Sequence, residues 1–244
     1  MSESFTYMDK VGHNRRLADV LKAATEVFLL KGYRRTQMAD ITKALGLSDG
    51  AIYRYVESKE ALFDQVVRVG AGKDLSDDKL VLPLPTPGPG ATLAFLRETL
   101  KREGRIASLE DALHRPTVED SAAEFESIIR ELYSKTARYS VGIKLLDRSA
   151  LDWPELAALW SGHWRANLVE QLARYLQLRI SHEVFRSVPD PRAWARLILE
   201  AVAFFAIHRH YDPHPTPMDE KTAEATVVTA LVRATVFTSH GRES

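Results

Sequence analysis

Helical periodicity in the first third of the chain is interrupted at Gly32 and again at Gly46-Leu47-Ser48, and this punctuation constrains the fold more than any other feature. Leu17, Val20, Leu21, Ala24, Val27, Phe28 and Leu30 recur on one helix face, and Gly32 stands where a left-handed cap stops that helix. Thr36 is the expected N-cap of a short second helix, Met38 to Leu45, with Met38, Ile41, Ala44 and Leu45 on one side. Gly46 ends it, and only Leu47 separates this glycine from Ser48, the N-cap expected for a third helix. Two helices joined by so short a turn must diverge steeply, the helix-turn-helix arrangement. In the third, Ile52 and Val56 lie four apart and face inward, which turns Asp49, Gly50, Tyr53 and Arg54 elsewhere. Ser58 caps a fourth helix, Lys59 to about Gly70, with Leu62, Phe63, Val66 and Val67 inward.

Charge marks the same region. The whole chain of 244 residues is balanced, with 33 Lys and Arg against 33 Asp and Glu, but Lys10 to Lys59 holds ten basic residues and five acidic ones. A locally basic module on a neutral chain is the footprint of one part that meets phosphates and another that does not; chance clustering is the alternative reading.

Residues 73–90 differ in character, with prolines at 83, 85, 87 and 89 beside Gly88 and Gly90. They cannot continue a helix and favour an extended spacer. The pattern beyond is helical throughout: Ala91 to about Glu103, Leu109 to His114, a long helix from about Val118 to Ser149, one from Pro154 to about His182, and two last helices, about Pro191–His210 and Asp219–Ser239. No strand is expected. The fold class is therefore all-α: an N-terminal three-helix helix-turn-helix domain over 13–72, a Pro-rich linker over 73–90, and a larger helical domain over 91–244.

The run from Arg35 to Leu62 resembles the DNA-binding domain of TetR-type transcriptional regulators. Thr36, Ile41, Leu45-Gly46-Leu47-Ser48, Gly50, Ile52-Tyr53, Tyr55 and Ser58-Lys59-Glu60 hold that family's spacing. Val56 replaces the usual Phe, Thr42 a small Ala and Ala61 a common Glu, changes that bear on core packing and remove no DNA-contacting group. The resemblance implies phosphate contacts for Thr36, Tyr53, Tyr55 and Lys59. Ser48 and Gly50 suit the end of a recognition helix that enters the major groove, where glycine lets the backbone approach closely; a glycine tolerated by turn geometry is the alternative. Base reading falls to Arg54, Ala51, Asp49 and Gln37, since Arg grips guanine bidentately, a methyl touches thymine and Asp accepts from cytosine. Asp49 serves equally as a helix-start acid. His13, Arg15 and Arg16 form a basic arm or a solvated end.

One head makes too few contacts for a rare site, so pairing across half-sites about 34–36 Å apart is expected. The last two helices carry apolar residues on faces too wide for one core, among them Ala193, Leu197, Ala201, Phe204 and Phe205, then Val227, Ala230, Leu231, Ala234 and Phe237. A homodimer through these helices is what the resemblance implies; central core helices are the alternative. Phe95, Phe125, Tyr133, Tyr139, Trp160, His163 and Trp164 are candidates to line a small-molecule effector pocket, or are plain core. The expected function is a sequence-specific DNA-binding regulator, a repressor at family level, released from its operator by an effector.

Other classes find less support. There is no Gly-rich phosphate loop, nucleophile elbow or cysteine, so catalysis, a cofactor and a metal are not expected. His208 and His210, two apart on a helix, point away from each other and cannot share an ion. No apolar run approaches membrane-span length and the first ten residues lack a signal-peptide core, so a cytoplasmic location is expected.

Overall fold

The computed structural model describes residues 3–48, 50–74 and 80–237, with side chains described from Arg16 onward. His13 and Arg15 of the basic arm, and Asp49, thus lie outside the described side chains, while Arg16 is exposed. The fold is all-α, with two isolated β-bridges, Val56 to Leu84 and Phe185 to Val236, as the extended pairings among the described residues. No described helix is long and apolar enough to cross a membrane. The chain divides into two compact units, one of Met1–Thr99 with Val141–Trp160, the other of Leu100–Ser140 with Ser161–Ser244.

The first unit is built on α1 (Glu3–Lys31), against which α2 (Met38–Leu45) and α3 (Lys59–Gly70) pack. Most of the apolar set read from sequence is its core: Leu17, Val20, Leu21, Ala24, Phe28, Ile41, Ile52, Val56, Leu62, Phe63 and Val66 are buried, whereas Val27 is half-buried and Leu30, off the face at the end of α1, is exposed. Phe28 meets Phe63 edge-on at 5.1 Å, and Tyr33 packs between Phe63 at 4.5 Å and Trp153 at 5.0 Å. Trp153 precedes α8 (Pro154–Ala157), which follows α7 (Ser140–Ala150). The α7–α8 junction closes the end of α1: Arg148 Nε donates to the Leu30 carbonyl (3.0 Å), one of the acceptors that a helix C-terminus leaves without a partner. Gly70 and Gly142 let α3 and α7 cross backbone on backbone, since a Cβ at 142 would sit 2.5 Å from the Gly70 carbonyl oxygen.

In the second unit α6 (Ser121–Arg138), α10 (Pro191–Ala206) and α11 (Glu220–Thr235) pack on one another, with α9 (Ala166–Ser181) against α10 and α5 (Ala107–His114) against α6 and α9. Asp120, Asp190 and Asp219 cap α6, α10 and α11 through their carboxylates. Arg179 is fully buried and fully occupied: it pairs with Glu124 at 2.8 Å and donates to the Ala112 and Arg115 carbonyls at the end of α5. Glu131 of α6 caps the start of α5, accepting from Ala107 N (2.9 Å), Ser108 N (2.8 Å) and Ser108 Oγ (2.6 Å). Burial pushes its carboxyl up, but these three hydrogen bonds outweigh burial and hold it below the usual range.

Several elements differ from the sequence reading. The long helix expected over 118–149 breaks at Tyr139 into α6 and α7, where Tyr139-Ser140-Val141-Gly142 is a run of poor helix formers. The helix expected from Pro154 to His182 contains a π-helical stretch, Ala158–Arg165, between α8 and α9, and α4 covers Ala91–Glu103 as expected. The two last helices stop early, at Ala206 and Thr235: a 3-10 turn, His208–Tyr211, follows the first, and Val236 leaves the second to pair with Phe185.

Candidate nucleic-acid interface

The sharp turn after α2 is present. Gly46 is left-handed (φ 64°, ψ 28°), its N–H donates to the Lys43 carbonyl (3.2 Å), and Leu47 N–H reaches back to the Thr42 carbonyl (2.9 Å). The start of α2 corrects one expectation, for its N-cap is Gln37, not Thr36. Asp40 Oδ2 accepts from Gln37 N–H (2.9 Å) while its other oxygen takes the Lys31 ammonium at 2.5 Å. These two bonds, Lys31 first, hold the Asp40 carboxyl below the usual range.

A second correction concerns the third helix. In place of a regular helix from Ser48 the chain makes one 3-10 turn, Ala51–Arg54, after Gly50. The groups that would extend it are used otherwise. Tyr55 O accepts from Leu84 N (2.8 Å) and Glu57 N donates to Leu84 O (3.0 Å), so the chain straightens at Val56. Ile52 and Val56 still point into the core, both fully buried.

That inward pair decides what faces outward. Ser48, Gly50, Tyr53 and Arg54 are exposed, Tyr53 by 49%, together with Gln37; Ala51, Tyr55 and Lys59 are half-buried. Thr36 is buried, and its hydroxyl donates to the Gly32 carbonyl (2.7 Å), which fixes the α1–α2 connection. Lys59 sits over the Tyr33 ring at 4.7 Å and donates to Thr36 O (3.0 Å), binding the start of α3 to that same connection. Tyr33 in turn donates to Glu60 (3.0 Å); burial and this bond push its hydroxyl well above the ordinary tyrosine value.

Gly50 is informative because the fold does not require it. Its φ is −77°, open to any residue, and a Cβ there would meet nothing within 4 Å. Gly46 differs: its space is also open, but its positive φ favours glycine.

The residues that sequence reasoning missed lie in the Pro-rich segment. Leu84 is buried, Thr86 N donates to Glu57 Oε2 (2.8 Å), and Thr86 Oγ1 to Ser58 Oγ (2.8 Å). A lone leucine between two prolines was the one available signal, and nothing in its spacing points to residues 55–57.

The aromatic candidates for an effector site separate by environment. In the first unit Phe95 lies under the Arg68 guanidinium at 4.4 Å, and Trp160 donates to Asp147 (2.7 Å). In the second unit Phe125 packs with Phe185 at 5.3 Å and Tyr175 at 6.2 Å, while Tyr133 donates to Glu220 (2.6 Å) and Tyr139 to Glu103 (3.0 Å). His163 is exposed and Trp164 half-buried, covering Gly104.

Residues 20–66 match the family model described as bacterial regulatory proteins, tetR family. Over 62 residues the chain is 36% identical to the HTH-type transcriptional regulator YfiR of Bacillus subtilis (strain 168), covering 25% of this chain and 30% of that protein. Over 60 residues it is 33% identical to the HTH-type transcriptional repressor KstR2 of Rhodococcus jostii (strain RHA1), covering 25% and 29%. The chain thus matches under a third of the length of these curated relatives. The solved structure of the ketosteroid transcriptional regulator KstR2 of Mycobacterium tuberculosis aligns with a TM-score of 0.55 at 15% identity, over 91% of this chain and 96% of that one. The likeness in fold extends well beyond the segment that is alike in sequence. The likeness in sequence to the tetR family of bacterial regulatory proteins thus falls on residues 20–66, the stretch that holds most of α1, α2, the turn at Gly46 and the start of α3.

Proposed function

We propose that this protein is a sequence-specific DNA-binding transcriptional regulator, a repressor that acts as a homodimer and leaves its operator when a small-molecule effector binds. The observation that carries the reading is the outward set Ser48, Gly50, Tyr53 and Arg54, held there by burial of Ile52 and Val56 and by the turn at Gly46. Gly50 supports it further, since a glycine that neither φ nor neighbours demand is accounted for by close approach of another molecule.

DNA binding occupies residues 13–72, with 73–90 as connector and 91–244 as the regulatory and dimerisation region. Arg54 reads guanine, with Ala51, Gln37 and Asp49 at neighbouring bases. Tyr53, Tyr55 and Lys59 hold phosphates, and Thr36 acts from within by shaping the turn that presents them. Pairing falls to α10 and α11, where Leu197 and Phe204 are exposed large hydrophobes and Ala230 and Ala234 leave room for close approach. Effector recognition falls to aromatic side chains of the second unit, Phe125, Tyr133, Tyr139, His163 and Trp164. The protein is a cytoplasmic binding protein, not an enzyme.

The test is selection of bound duplexes from a random-sequence library, followed by sequencing. An enriched inverted repeat is expected, and Arg54→Ala should relax preference at a guanine of each half-site by about 1–3 kcal/mol. Recovery of no preferred sequence would remove the reading.

A further inference from the structure

We propose that Leu84 and Thr86 are positioning residues for DNA recognition: the segment Pro83–Thr86 is a strap that sets the angle between the recognition turn and α3. The inference rests on the DNA-binding reading above and adds to it a part of the chain outside the matched family segment.

The recognition turn is short and weakly self-supporting. Its four residues close two bonds at the far end, Tyr55 N to Ile52 O (2.9 Å) and Val56 N to Ile52 O (3.3 Å), and poor geometry is usual for 3-10 turns. Past it, Tyr55 is still helical (φ −108°, ψ −32°), and the Tyr55 carbonyl and the Glu57 N–H find their partners outside the turn. The strap supplies those partners on both sides of Val56, through Leu84 N to Tyr55 O (2.8 Å) and Glu57 N to Leu84 O (3.0 Å). Thr86 continues the contact to the Glu57 carboxylate and the Ser58 hydroxyl, and Ser58 is the N-cap of α3, accepting from Ala61 N (3.1 Å). Leu84 anchors the strap by burying its side chain.

The residues to which the strap is hydrogen-bonded, 55 and 57 by backbone and 57 and 58 by side chain, lie between the exposed Tyr53 and Arg54 and the half-buried Lys59. The strap's own contacts are turned to the protein and not to a duplex, so its contribution is to hold the interface in its binding shape before DNA arrives. Fixing backbone in advance raises affinity because the ordering is not left to the binding step. A shape-dependent contribution is also specific: contacts to bases need the correct angle, whereas loose attraction to phosphates does not.

The test compares wild type with Leu84→Ala and Thr86→Val, and with the conservative Leu84→Met and Thr86→Ser. Affinities are measured by fluorescence anisotropy on the duplex most enriched by wild type and on a scrambled duplex. The temperature is one at which circular dichroism shows each variant fully folded, so that a purely structural contribution leaves affinity unchanged. The expected result is about tenfold weaker binding of the enriched duplex by each disruptive variant. Binding of the scrambled duplex should change less than about twofold, the conservative variants should restore affinity, and amide exchange over residues 53–58 should be faster in Leu84→Ala. If Leu84→Ala fails to fold, Thr86→Val, which keeps the buried leucine, gives the decision. Unchanged affinity for the enriched duplex, or an equal loss on both duplexes, would overturn the strap while leaving the DNA reading intact. Failure of wild type to enrich any duplex would overturn both.

Discussion

Side chains around the recognition turn divide into those that build it and those it presents. Thr36 and Lys59 turn their polar ends onto carbonyls of the α1–α2 connection, whereas Tyr53 and Arg54 are open. Gly50 belongs to the second group, which leads to a prediction of opposite signs. Gly50→Ala should leave stability unchanged or raise it by up to about 1 kcal/mol, because alanine restricts the unfolded chain and meets no obstacle in the folded one. It should nevertheless weaken DNA binding severalfold; paired thermal melts and anisotropy titrations read the two effects separately. In the second unit Glu131 gives a pH prediction. Its folded-state carboxyl lies below its unfolded value, so its stabilisation is fully present above the unfolded pKa, about 4.3, and is lost as pH falls through the lower folded value. Wild type should therefore melt above Glu131→Gln at pH 7, and the gap should close on acidification below about pH 4.

At the scale of elements, the crossing of α3 and α7 sets a steric requirement against a local preference. Alanine is favoured over glycine inside a helix by about 1 kcal/mol. At position 142, however, a Cβ would lie 2.5 Å from the Gly70 carbonyl oxygen, and the backbone must move to admit it. The crowding cost, about 1–3 kcal/mol, should win, so Gly142→Ala should lower the free energy of urea unfolding. This crossing was not legible in the sequence, because which two glycines meet is a long-range fact. Local signals fared better. The inward face of α1 as far as Phe28, the left-handed Gly46 and the Ser58 cap of α3 each follow from neighbours in the chain and appear where periodicity and capping put them, while Leu30 turns outward. Expectations failed where a distant segment intervened. Leu84 takes the hydrogen-bonding groups that a longer recognition helix would have used, and the Gly32 carbonyl takes the Thr36 hydroxyl, leaving the cap to Gln37. Exposure of Gly50, Tyr53 and Arg54 was legible from the Ile52–Val56 spacing alone; the inward turn of Lys59 was not, since its partners lie more than twenty residues away.

For the whole molecule, the basic head and the balanced total charge fit one module that meets phosphates and another that does not. Pairing of two chains would give the head the second half-site that one recognition turn lacks. Leu197 and Phe204 are 49% and 47% exposed on α10, and Phe204→Glu should convert a dimer to a monomer in sedimentation velocity while leaving helicity intact. The account turns on whether the 48–54 turn enters the major groove, and dimethyl sulfate protection on the enriched duplex reads that groove directly. Protection of guanine N7 is predicted in two patches about 10 base pairs apart, both abolished by Arg54→Ala. Tight binding with every guanine N7 still reactive, or with protection confined to adenine N3 in the minor groove, would contradict it.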